Sequence, residues 1–308
     1  MNPDNDYIVG YIAGSGRSGS TVLDMMLGAN SSGLSTGQLD ELRSWIETGG
    51  YCTCGRILSE CPFWSGIVTS ANSLAPSAVN RPGKVRKVSA TLRVLAGGTN
   101  PLEAGEVENA WRLLDRLAVH SGKHAIIDSS KAALRLARLA RHPRGDRLRV
   151  IHLVRDPRGY VTSKSFSTRA QSAQGTFGYT SAQPKWTAVL DWITQNLLTL
   201  IVGVVAFRGR YFVVTYEQMT ARPERTLAWL ADLLGMTYEP SMLPPLDRTE
   251  FHLIGGNSSR LTFSELRYDD KWQSQLRARE KLLIQLTSGW LYWLLARMAG
   301  RHERTATA

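Results

Sequence analysis

Between Gly14 and Thr21 the chain reads Gly-Ser-Gly-Arg-Ser-Gly-Ser-Thr, a run in which only Arg17 carries a long side chain. Glycines allow backbone conformations that aim successive N–H groups at one point, and the hydroxyls add donors. The run follows the apolar stretch Tyr7 to Ala13, which reads as a strand, and enters Thr21 to Leu27, which reads as a helix. A loop so placed sits at a helix N-terminus, where N–H groups and the helix dipole favour an anion. A kinase or ATPase loop reads G-x-x-x-x-G-K-[ST]. Gly14 and Gly19 keep that spacing, but Ser20 stands where the lysine belongs, and the positive charge sits at Arg17. Alone, the run also fits an ordinary Ser/Gly turn.

A second set of charged residues lies in His152 to Ser163, an apolar strand that ends in Arg155-Asp156-Pro157-Arg158 and restarts as a helix. Arg155 at the strand end and Ser163 on the first turns of the helix can converge on one anion, a planar guanidinium fork being matched to phosphate oxygens. The plainer reading pairs Arg155 with Asp156 on the surface.

In these two segments the chain resembles the sulfotransferase superfamily, whose phosphosulfate loop reads K-S-G-T-T or R-S-G-S-T; Arg17 to Thr21 has the second form. The family holds a 3′-phosphate with an Arg and a Ser eight positions apart in an R-D-P-R turn, the separation of Arg155 and Ser163. The resemblance implies 3′-phosphoadenosine 5′-phosphosulfate (PAPS) as donor, bound by Gly16, Arg17, Ser18, Gly19, Ser20, Thr21, Arg155 and Ser163. Val214 to Glu217 resembles a strand-ending Y-E element that puts Tyr216 near the adenine. His252 to Arg260 resembles a late H-x-x-x-G-N-x-x-R segment, which adds Asn257 and Arg260 on the 3′-phosphate side. Sulfuryl transfer needs an in-line nucleophile, a neutralised leaving group and a general base, with Arg17 meeting charge on the bridging oxygen. It requires no metal.

Two places can supply the base. Gly37-Gln38-Leu39-Asp40-Glu41 resembles the G-E-x-x-E of a trehalose-type bacterial member and maps the base to Glu41, while the first Glu of the pattern is Gln38 here, which cannot accept a proton. Ile127 to Lys131 resembles the family's other site beside the sulfonate, with Lys131 as a sulfonate ligand and Asp128 as reserve base. Asp-Ser-Ser before a helix also reads as a cap, and Glu41 as a helix-surface carboxylate.

These residues need a frame. Strand patterns at 7–13, 125–128, 149–154 and 211–216 alternate with helical ones at 21–27, 132–141, 160–166, 186–207 and 224–235. The alternation predicts an α/β fold, a P-loop-like, mostly parallel sheet flanked by helices, with ligands at the strands' carboxyl ends. The sulfotransferase fold is expected as a single domain over residues 1–300. Residues 58–100 read as an irregular insertion or acceptor-side lid, and 301–308 as a disordered tail. Leu276 to Met298, with Trp290, Tyr292 and Trp293, reads as a helix for core or homodimer contact or for peripheral membrane contact.

The net charge of +11 implies anionic partners. A nucleotide donor and a carbohydrate, lipid or small-molecule acceptor fit it, whereas no stacking aromatics interleave the basic clusters, so nucleic acid is not expected. A P-loop kinase or NTPase and a non-catalytic nucleotide-binding module are the rival readings. The opening residues lack a signal-peptide pattern, and the apolar run 197–207 is shorter than a membrane span, so a cytoplasmic protein is expected. Cys52, Cys54 and Cys61 fall within ten positions. They read as a structural turn with reduced thiols, as an oxidisable pair, or as metal ligands lacking a fourth local ligand. No metal site is expected.

Overall fold

The computed structural model describes residues 6–67, 84–98, 101–166, 182–247, 250–256, 260 and 263–305. Asn257 and most of the 168–183 loop lie outside the described residues.

Five strands form one parallel sheet: β1 (Ile8–Ala13), β2 (Gly33–Gly37), β3 (Ala125–Lys131), β4 (Leu148–Val154) and β5 (Tyr211–Thr215), in the order β2-β3-β1-β4-β5. The sequence of β1, Ile-Val-Gly-Tyr-Ile-Ala, suits its central place. Val9, Tyr11 and Ala13 pack into the core on one face and Ile12 into the core on the other. A parallel strand covered on both faces needs such a continuous apolar run. Its neighbours are β3 and β4, paired Val9 with Ile126 and Val9 with Leu148. The chain leaves β1 toward β2 and leaves β4 toward β5. The strand order thus reverses between β1 and β4, and a crevice opens there at the carboxyl ends.

Strand β2, Gly-Leu-Ser-Thr-Gly, has no apolar alternation and was not expected from sequence. It is built for close approach: α1 (Ser20–Gly28) lies so near that a Cβ on Gly28 would sit 2.3 Å from that of Ser35. The buried hydroxyls of Ser35 and Thr36 donate to the Asp24 carboxylate and the Ile127 carbonyl.

Two helices follow: α2 (Leu42–Glu47) and, inside the region expected to be irregular, α3 (Lys84–Leu95). The correction has a plain cause. Val88, Thr91 and Val94 recur at helical spacing and turn inward, but the basic residues Arg86 and Lys87 before them and Arg93 among them hide the pattern. The helix α4 (Pro101–Ser121) precedes β3, and α5 (Ala133–Ala140) and α6 (Pro157–Ser165) follow β3 and β4. The apolar α7 (Lys185–Ala206) is long enough to cross a membrane, with mean hydropathy 1.6. Its buried face, however, presents Trp192 and Asn196, whose polar atoms hydrogen-bond to residues of the crevice. Beyond β5 come α8 (Tyr216–Ala221), α9 (Pro223–Leu233), α10 (Trp272–Gln275) and α11 (Ala278–Thr305).

The tail expected to be disordered from residue 301 is helical to Thr305, because His302 Nδ1 accepts from the Val213 N–H and docks that end on β5. One face of α11 buries Ile284, Leu291 and Leu295, while Leu286, Trp290 and Trp293 face outward.

Candidate active site

The phosphate loop leaves β1 through three left-handed backbone positions, Gly14 at φ 117°, Arg17 at φ 68° and Gly19 at φ 91°. Two of these must be glycine for space as well: a Cβ on Gly14 would lie 2.6 Å from the Leu153 carbonyl, and one on Gly19 would lie 3.0 Å from the Tyr216 ring. Gly16 has no heavy atom within 4 Å of its would-be Cβ, so the loop is open there. Gly19 is the N-cap of α1 and offers no side-chain cap, which suits a helix start that meets an external anion.

Beneath the loop a hydrogen-bond chain fixes its shape. Tyr211 OH lies 2.6 Å from His152 Nδ1, and His152 Nε2 lies 3.0 Å from Asn196 Oδ1. Asn196 Nδ2 donates to Ser15 Oγ at 3.3 Å, and Ser15 Oγ meets Ser18 Oγ at 3.3 Å. Burial pushes the His152 pKa down to about 4. The ring is therefore neutral, with Nε2–H donating to Asn196 and Nδ1 accepting from Tyr211. Sequence reasoning passed over this network, since a histidine in a strand and an asparagine in an apolar helix carry no motif.

Arg155, at the end of β4, does not pair with Asp156. Its guanidinium donates to the Arg17 carbonyl at 3.1 Å and to the Asp269 carbonyl at 3.0 Å, and it pairs with the Asp269 carboxylate at 3.0 Å. It also lies 4.7 Å above the Tyr216 ring centroid. Asp156 instead caps α6 and takes Arg158 at 2.6 Å. Gly159 passes close to Arg155: a Cβ there would be 2.9 Å from its Nε. Ser163, half-buried, stands one turn beyond Gly159 on the same helix face, so Arg155 and Ser163 share one side of the crevice.

Tyr216, expected beside an adenine, opens α8 under the phosphate loop. Its hydroxyl donates to the Arg267 carbonyl at 2.9 Å and accepts from the Asp269 N–H at 3.0 Å. It thereby orders the segment that supplies Arg155's carboxylate partner.

The other side of the loop faces a cavity of about 410 Å³ lined by Gly14, Gly16, Gln38, Asp40, Glu41 and Lys131, among others. Lys131, in a left-handed conformation at φ 67°, ends β3 and donates to Gln38 Oε1. Burial lowers the pKa of its ammonium, against the raising influence of Asp40 and Glu41. Gln38 thus satisfies the lysine without neutralising it, as a Glu at that position would. Glu41 ends a single 3-10 turn, half-buried. Over it lies the late glycine loop: a Cβ on Gly255 (φ 60°) would be 2.7 Å from Glu41 Oε2, and one on Gly256 would be 3.2 Å from Thr21 Oγ1.

Two expected site residues are placed differently. Asp128 is fully buried, accepts from the Ser130 N–H at 2.9 Å and pairs with Arg135 at 3.2 Å. The enclosed carboxylate lies within β3 instead of capping the next helix, whose N-cap is Ala132. Arg260 is 1% exposed, donates to the Leu253 carbonyl at 3.3 Å and lies 5.0 Å from the Trp45 ring. The Cys52 thiol and the Glu41 carboxylate lie near it. Its pKa falls to about 10 through burial. Asp24 was missed entirely. It is buried under the loop, takes Ser35, Ser129 and the Gly37 N–H, and burial lifts its pKa to about 7.

A parallel sheet with a glycine-rich loop after its central strand, a basic turn after the next strand and an acid–lysine cavity between is an arrangement suited to transfer of an anionic group. The chain belongs to the sulfotransferase family, whose model matches residues 11–240. Two solved structures share the fold. The sulfotransferase domain of the Synechococcus PCC 7002 olefin synthase is 20% identical, with a TM-score of 0.53 over 94% of this chain and 98% of that one. The sulfotransferase domain of the curacin biosynthetic pathway is 18% identical, with a TM-score of 0.52 over 91% and 96%. No curated protein sequence matches the chain.

Proposed function

We propose that the protein transfers a sulfuryl group from PAPS to a hydroxyl, or less often an amine, of a carbohydrate, lipid or small-molecule acceptor. The observation that carries this reading is that the phosphate loop and the Glu41–Lys131 pair line one cavity, so an anion held by the loop and an acceptor beside Glu41 would touch. In this reading the loop N–H groups and Arg17 hold the 5′ side of the donor and meet the charge that grows on the bridging oxygen. Lys131, hydrogen-bonded to the neutral Gln38, binds a sulfonate oxygen. Glu41 accepts the acceptor's proton as the new S–O bond forms and the bond to the bridging oxygen breaks. Arg155 and Ser163 hold the 3′-phosphate, so that adenosine 3′,5′-bisphosphate leaves as a bound anion. The cavity walls carry both signs, Lys87 and Arg138 with Asp40, Glu106 and Asp191, and suit an acceptor with polar groups.

Calorimetry with purified protein tests the donor assignment. Adenosine 3′,5′-bisphosphate is expected to bind at least about tenfold more tightly than ATP, a difference of about 1.4 kcal/mol. Equal affinities would sink the assignment and revive the kinase reading.

A further inference from the structure

Cys52, Cys54 and Cys61 crowd one loop, and the fold brings His252 to them from 191 positions further along the chain. The four ligand atoms lie within 4.8 Å of one another. Three separations are informative: Cys54 Sγ to Cys61 Sγ is 3.7 Å, Cys52 Sγ to His252 Nδ1 is 3.5 Å, and Cys61 Sγ to His252 Nδ1 is 3.3 Å. A tetrahedral zinc with Zn–S of about 2.3 Å and Zn–N of about 2.0–2.1 Å has S···S edges near 3.8 Å and S···N edges near 3.5 Å. These three edges match those of such a tetrahedron. They are not those of a disulfide, whose sulfurs sit about 2.05 Å apart, and all three cysteines are free.

We propose that Cys52, Cys54, Cys61 and the Nδ1 of His252 bind one zinc ion as a closed structural site. Three thiolates and an imidazole suit zinc over magnesium or calcium, and four protein ligands leave no open position for catalysis. The surroundings hold the ligands in place. Phe63 stacks on the His252 ring at 5.3 Å with 5° between planes, and Trp64 Nε1 donates to the His252 carbonyl at 2.6 Å. Gly55, at φ 84°, closes the turn between Cys52 and Cys61. Zinc with three thiolates and a neutral imidazole carries one net negative charge. The buried Arg260, bonded to the carbonyl of Leu253 next to His252, is placed to offset it.

The site ties the cysteine loop to the segment that crosses the active site. Ile254, two residues after His252, pairs with Gly37 at the end of β2, and Gly255 and Gly256 then pass over Glu41 and Thr21. The ion is thus a staple for the glycine loop, an inference that stands whatever group the enzyme transfers.

The test is elemental analysis of the full-length protein purified under reducing conditions without chelator. About one zinc per chain is expected, with loss of most of it in both Cys54→Ser and His252→Asn. Cobalt exchanged into the wild-type protein should give the visible absorption of a tetrahedral thiolate site, a readout that needs no variant to fold. Zinc below about a tenth per chain in folded wild-type protein, no tetrahedral cobalt spectrum, or a disulfide among these cysteines in the native protein would overturn the proposal.

Discussion

Replacing Arg155 with alanine should abolish the preference for a 3′-phosphorylated nucleotide while leaving much of the binding of a 5′-monophosphate. Two charge-assisted hydrogen bonds from a guanidinium fork to phosphate contribute about 1.5–3 kcal/mol each, or about 3–6 kcal/mol together. The ligand-free protein already holds that guanidinium against Asp269 at 3.0 Å, and this pair must be loosened or shared. The Asp269 side chain is 34% exposed, so the pair is screened and offsets only about 0–1 kcal/mol. The net loss on Arg155→Ala is therefore about 2–6 kcal/mol, roughly 30-fold to about 10⁴-fold in affinity. The assay is calorimetry of adenosine 3′,5′-bisphosphate and adenosine 5′-monophosphate against wild type and variant, read as the ratio of the two Kd values. The ratio matters because Arg155 also bonds the Arg17 carbonyl, and loosening that contact weakens both ligands alike. Arg155→Lys keeps a charge without the fork and should fall between the two, which protects the test if the alanine variant unfolds. A ratio unchanged within about threefold in a folded variant would refute the second-phosphate role of Arg155, since even one lost charge-assisted bond exceeds that.

Glu41→Gln should lower turnover by about 10²–10⁴-fold with bisphosphate affinity unchanged. Retained turnover in a sulfuryl-transfer assay would move the base to Asp40, which lines the same cavity. His152 gives a pH prediction. Its folded pKa is about 4 against an ordinary 6.5, so as pH falls below 6.5 the unfolded chain takes up the proton first and stability declines. The decline approaches about 3 kcal/mol near pH 4 and then stops, while above 6.5 it is absent. Urea unfolding of wild type and His152→Gln at pH 7 and pH 4.5 should show the wild type losing about 2–3 kcal/mol more than the variant. The buried Asp24 titrates with the opposite sign, destabilising the fold as pH rises toward 7, but it is common to both proteins and cancels. Parallel losses in the two proteins would mean that His152 does not hold the loop as a neutral ring.

What sequence could reveal followed from local pattern. The strand Ile8–Ala13 is apolar throughout because it is covered on both faces, and the loop after it is legible because left-handed turns at Gly14 and Gly19 demand glycine. Arg155 stood out in the sequence as a candidate at a strand end, but its partner in the fold did not. Asp269 lies 114 positions away, and nothing in Tyr268-Asp269-Asp270 marks which carboxylate faces the crevice. β2 was invisible for a different reason. Its job is to let α1 approach, which selects Gly33, Ser35 and Gly37 and removes the apolar alternation that identifies strands.

The acid side of the site shows how the same limit bears on chemistry. Asp128, Asp40, Glu41 and Asp24 are four carboxylates around one lysine, and composition cannot rank them as bases. Position separates them: Asp128 pairs with Arg135, Asp24 is sealed under the loop by two hydroxyls, and Glu41 and Asp40 line the cavity. A charge-neutral glutamine at position 38 then acquires a meaning that its sequence did not carry. A glutamate there would form an ion pair with Lys131 and cancel the cation beside the incoming anion, whereas Gln38 accepts the lysine's hydrogen bond and leaves its charge in place. The residue that looked like a missing base is, in the fold, the uncharged hydrogen-bond partner of Lys131, so the pair as a whole carries the charge of the protonated lysine.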